Sequence, residues 1–108
     1  MTIQQLIARI REIYDEESAI VGRGCELRRY LHERNPETVT FASRLLDSLI
    51  PEINVECRRL RQFILKLQQM DGSEMSSEDI QRSLAQAEAR LDKYRQSLAC
   101  AEENKHNH

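Results

Sequence analysis

The chain has 108 residues, of which 31% are charged and 5% aromatic, with a net charge of −2, three Gly, two Pro and no Trp. That length suits one domain able to bury a core without disulfide or metal staples, and a composition rich in Leu, Ile, Ala, Glu, Arg and Gln belongs to long helices, not to a sheet. A net charge so near zero supplies no overall field to draw the chain to nucleic acid or to an acidic membrane, so both are disfavoured as partners.

Three cysteines, Cys25, Cys57 and Cys100, are odd in number and lie on three separate segments, which reads as reduced thiols and not as a disulfide framework. The opening MTIQQLIARIREIY carries polar and charged residues through its first turns, unlike a secretory signal. No window approaches the roughly 18 uncharged apolar residues of a membrane span. These features lead us to expect a cytoplasmic or nuclear protein.

In chain order, Thr2 and Gln5 form a capping box, after which Ile3, Leu6, Ile10, Ile13, Glu17, Ile20, Gly24, Leu27 and Leu31 follow an a/d heptad. The first helix is predicted over 3–34. Asn35-Pro36 ends it and, with Asn as N-cap and Pro at the first helical position, is expected to start the second. That second helix, predicted over 36–70, carries Val39, Ala42, Leu46, Leu49, Ile50, Ile53, Cys57, Leu60, Phe63, Ile64, Leu67 and Met70 at steps of three and four. The arc they cover, about 180°, exceeds the stripe of about 100° that serves a single contact. This helix therefore needs neighbours on two sides. Gly72 in Asp71-Gly72-Ser73 suits a C-terminal cap. Ser76 or Ser77 then caps a third helix over 77–101, with Ile80, Leu84, Ala87, Leu91, Tyr94, Leu98 and Ala101 as its core row.

The fold expected is all-α, an antiparallel up-down-up three-helix bundle with coiled-coil-like heptads. It forms one domain over 1–101, followed by a flexible tail over 102–108. The alternative breaks the first helix near Gly22-Gly24 and the second at Pro51, giving five shorter helices. A tight connection at 35–36 would put helices one and two level where residue numbers total about 71, with Pro51 beside Ile20. Glu12, Asp15, Glu16 and Glu17 would then face Glu56, Arg58, Arg59 and Arg61 in an ion-pair lattice. Across helices two and three a total of about 148 would put Asn54 level with Tyr94.

No nucleophile, general base, cofactor motif or metal-spaced ligand set stands out, so we expect a non-enzyme with no catalytic residue, cofactor or metal. Glu17 and Glu56 are carboxylates at core positions, which in a bundle more often fix register than perform acid-base chemistry. His32, His106 and His108 are scattered. Beyond the core rows, Ile7, Tyr14 and Val21 form a flanking row on helix one, and Val55 and Leu65 lie outside the main arc of helix two. Surplus apolar residues of this kind mark contact surfaces. The expected function is that of a protein–protein interaction module, such as an adaptor, an assembly subunit or a chaperone-like partner. It would use the edge between helices one and two, either for another protein or for self-association. The alternative is a nucleic-acid-associated regulator using Arg28, Arg29 and Arg34 together with Arg58, Arg59 and Arg61, although no aromatic is interleaved with them as a stacking platform.

Overall fold

Thr2 opens the first helix as its spacing requires: its hydroxyl accepts from the Gln5 N–H at 3.1 Å, and the Gln5 side chain accepts from the Thr2 N–H at 2.9 Å. The helix so capped, α1, spans Ile3–Arg34; α2 spans Phe41–Gln69 and α3 spans Ser77–Glu103. They were obtained in a computed structural model that describes residues 1–70 and 75–106. Among the described residues there is no strand, and the three helices form an up-down-up bundle measuring 56 × 19 × 15 Å. Both α1 through Gly22 and Gly24 and α2 through Pro51 run unbroken, so the five-helix alternative does not form.

The connection between α1 and α2 departs from the expected turn. Asn35 is the C-cap of α1, with its N–H on the Leu31 carbonyl, and Pro36 lies in a turn closed by Thr38 N–H on the Asn35 carbonyl at 3.2 Å. The N-cap of α2 is Thr40: its hydroxyl accepts from Ser43 N–H at 3.1 Å, and the Ser43 hydroxyl accepts from Thr40 N–H at 3.0 Å. Three β-branched residues in succession, Thr38, Val39 and Thr40, are poor material for a first helical turn, while a hydroxyl at residue 40 satisfies orphan N–H groups. Val39 consequently stands in solvent instead of opening the apolar arc. The longer loop also shifts the register. Helices α1 and α2 lie level where residue numbers total 75, as in Arg28 with Asp47 and Ser18 with Cys57. Pro51 is therefore level with Gly24 and not with Ile20.

Met70 is the C-cap of α2, and the anticipated glycine cap at Gly72 falls outside the described residues. Ser76 caps α3, accepting from Asp79 N–H at 3.1 Å. That helix continues past Ala101 to Glu103, so the first residues of the expected tail are helical, while 107–108 lie outside the described residues. Burial of Ala101 explains the extension, since unwinding the last turn would expose it.

One seam along the bundle holds the core, with Leu6, Ile10, Ile13, Leu31, Leu46, Ile53, Leu67 and Leu91 essentially without solvent exposure. Phe63, Met70, Leu27 and Leu84 are half-buried at its margins. An added Cβ at Gly24 would make ordinary contact, at 3.5 Å, with Ile50 and Leu46, and one at Gly22 would meet nothing within 4 Å. Neither glycine is needed for the two backbones to approach.

Candidate functional site

The polar side chains divide the bundle surface unequally. Along the α1–α3 edge, Arg9 grips Glu88 with two parallel bonds, Nε to Oε1 at 2.6 Å and Nη2 to Oε2 at 2.9 Å, and Glu16 meets Arg95 at 3.0 Å. The Arg9 fork holds the Glu88 carboxyl below its ordinary range. Numbers rise together in these pairs, so α1 and α3 run parallel. Along the α2–α3 edge, Arg90 donates to Glu56 at 3.1 Å and Lys93 to Glu52 at 2.9 Å, with numbers running oppositely. Helix α3 is thus latched on both sides by ion pairs.

The expected lattice between α1 and α2 does not form. Glu12 pairs with Arg9 on its own helix, Glu16 reaches α3, and Glu56 is held by Arg90 and by Arg59 at 3.5 Å. The four-residue change of register and the arrival of α3 redirect these carboxylates. Arg58 and Arg61 consequently have no ion-pair partner within 4 Å among the described residues. Across the α1–α2 edge the described residues show a single ion pair, Arg28 to Asp47 at 3.6 Å with both side chains largely in water.

Beneath the latches lies a polar layer in the core. Glu17 is wholly buried, and neither of its carboxylate oxygens has a hydrogen-bond partner among the described residues. Loss of hydration, with Glu56 as a nearby like charge, pushes its pKa from the ordinary 4.5 up to about 7. Glu56 is buried too but keeps its arginines. Burial first, and then the carboxylates of Glu56, Glu52 and Glu17, raise the Tyr94 phenol to about 12, and burial likewise raises the Cys57 thiol, which touches the Ser18 hydroxyl at 4.0 Å. Asn54, expected in this layer, is exposed: α2 and α3 are level where numbers total about 146, as in Glu56 with Arg90, and Asn54 points away. The layer holds two buried carboxylates and a phenol that stays protonated.

The apolar candidates part company. Ile7 is buried in the core and is not a surface residue. Tyr14 and Val21 are half-buried. Leu65 is 59% exposed and Val55 47% exposed. Tyr14 and Leu65 come together in a groove of about 520 Å³ whose other walls are Arg11, Arg61, Ile64 and Gln68. Val55 sits about half a turn around α2 from Ile64 and has no part in it. Sequence reasoning missed Arg11 and the isolation of Arg61. The available signal was the run from Cys57 to Gln69, which holds Arg58, Arg59, Arg61 and Lys66 and no acidic residue.

A second, wider groove of about 900 Å³ opens at the loop end of the same edge, between Gly22, Cys25 and Arg29 of α1 and Val39, Ser43 and Asp47 of the loop and α2. The other arginines of the proposed basic set are engaged or dispersed. Arg28 meets Asp47, Arg34 lies over the Tyr30 ring at 5.2 Å, and Arg59 holds Glu56. The groups at residues 28–34 and 58–61 stand roughly 20 Å apart along the bundle at 1.5 Å per residue. All three cysteines are free thiols, and no helix among the described residues is long and apolar enough to cross a membrane. No protein-family profile, curated protein or solved structure matches the chain.

Proposed function

We propose that the protein is a non-enzymatic interaction module of the adaptor, assembly-subunit or chaperone-like kind, and that its working surface is the α1–α2 edge. The observation that carries this reading is the exposed Leu65 beside Tyr14, in a groove on the one edge that α3 does not latch. Two antiparallel helices leave between them a shallow apolar channel, and a third helix laid in such a channel is a recurring mode of protein recognition. On the other side α3 already plays that part within the chain; on this side no element among the described residues lies in the channel. Contiguous exposed apolar groups beside polar rims mark contact surfaces in soluble proteins, and Leu65 with Tyr14 is the pairing that supports this reading.

A photo-crosslinking residue placed at 65 should give covalent protein adducts in the cells of origin, while one at the exposed Ala85 of α3 should not. No adduct from position 65, or equal adducts from both, overturns the reading. The mass of the adduct separates a foreign partner from a second copy.

A further inference from the structure

The geometry points to an acidic amphipathic helix as the occupant of the Arg11–Tyr14–Arg61–Leu65 groove, an inference that rests on the α1–α2 edge being the working surface. Charge decides the partner. Arg11 on α1 and Arg61 on α2 both line the groove, and neither makes an ion pair within 4 Å among the described residues. Three nearby carboxylates are engaged elsewhere: Glu12 by Arg9, Glu16 by Arg95 and Glu56 by Arg90 and Arg59. Asp15 is four residues from Arg11 and exposed, yet does not pair with it within 4 Å. From Cys57 to Gln69 α2 carries no carboxylate, so the α2 wall of the groove is basic although the chain as a whole is slightly acidic.

The same groove holds Leu65, 59% exposed, beside Tyr14 and Ile64. A partner that matches carries apolar side chains at i, i+3, i+4 and i+7 to cover them, flanked by Glu or Asp to meet Arg11 and Arg61. The groove is about two helical turns long by the level positions of its residues, which suits such a set. A second copy docked groove to groove would set arginines against arginines, so like-charge repulsion disfavours self-association here. Nucleic acid would use the arginines but leave Leu65 uncovered.

The test displays a library of helices about 18 residues long, with leucines fixed at the i, i+3, i+4, i+7 positions and flanks varied among Glu, Gln and Lys. It is panned at low ionic strength on the intact chain and on the folded variants R11E/R61E, R11Q/R61Q and L65E, with helicity and melting checked for each. The expected result is enrichment of Glu-flanked over Lys-flanked helices by about tenfold on the native chain, lost in R11Q/R61Q, reversed in R11E/R61E, and abolished in L65E. Helices enriched through Leu65 without regard to flank charge overturn the acidic partner and leave the interaction module standing. No enrichment, or enrichment indifferent to L65E, overturns both. A single-stranded oligonucleotide that binds the native chain and not R11E/R61E, with no helix enriched, also overturns both and assigns the groove to nucleic acid.

Discussion

The two edges that α3 shares with its neighbours and the edge between α1 and α2 are built from the same kinds of residue, yet they finish differently. On the α3 side each apolar seam is flanked by ion pairs, including a forked arginine at Glu88 and a buried carboxylate held at Glu56. Between α1 and α2 the seam ends in an exposed leucine and two arginines without acidic partners among the described residues. A carboxylate row on α1 was available to close it. Of that row only Glu16 reaches α3, at Arg95, while Glu12 turns back to Arg9 on its own helix and Glu17 is buried, so none of the three closes the α1–α2 edge.

The sharpest way to break this contrast is to compare two apolar residues on the same side. Ile7→Glu should cost more than about 3 kcal/mol and unfold the chain, because it buries an unpaired charge. Leu65→Glu should change stability by under about 0.5 kcal/mol, because its side chain is already in water. Urea denaturation of both variants checks this, and a large loss for Leu65→Glu would mean that the open edge is part of the core.

Next in size is the buried carboxylate. Because the folded pKa of Glu17 lies above its unfolded one, its contribution is intact below about pH 4.5 and is lost as the pH rises through 7. The native chain should therefore lose about 3 kcal/mol of stability between those limits. Glu17→Leu should flatten that part of the profile and be the more stable protein at pH 8 by about 2 to 3 kcal/mol. Denaturation at pH 5 and pH 8 reads both effects.

Between latched and open edges, the ion pairs should rank by burial. Arg90→Ala leaves Glu56 with only Arg59 and should cost about 1 to 2 kcal/mol, whereas Arg28→Ala should cost under about 0.5 kcal/mol since its pair is solvated. Thermal melts at low and high salt distinguish them, with the smaller effect vanishing in salt. Smallest of all, Gly22→Ala and Gly24→Ala should each raise stability by up to about 1 kcal/mol, because a methyl group fits at both sites and helical glycine is costly.

Much of this was legible in the residues alone. The core rows, the capping box at Thr2, a cap at Ser76 or Ser77 and the burial of Glu17 and Glu56 all follow from spacing, because an apolar period and a hydroxyl before it are local signals. The open edge was only half legible. Tyr14 and Leu65 were visible as surplus apolar residues, but Ile7 looked just as surplus and is buried, while Val55 lies on the far face. What could not be read was the register, since a choice between Asn35 and Thr40 as the cap of α2 moves every contact between α1 and α2 by about a turn. The pairing of Glu56 with Arg90 depends in turn on how α3 docks, which no local pattern encodes.

Pro51 and Gly24 stand level on facing helices, with Gly22 half a turn away. A proline removes the N–H that would have bonded the carbonyl of Asp47, and each glycine loosens its own turn. The two backbones are thus weakest at one height, roughly midway between the loop end and the polar layer. In amide hydrogen exchange, residues 22–26 and 48–52 should open together and ahead of the helix interiors on either side. The bundle then loosens first along a transverse line, at the height of the wider groove and away from Arg11 and Leu65.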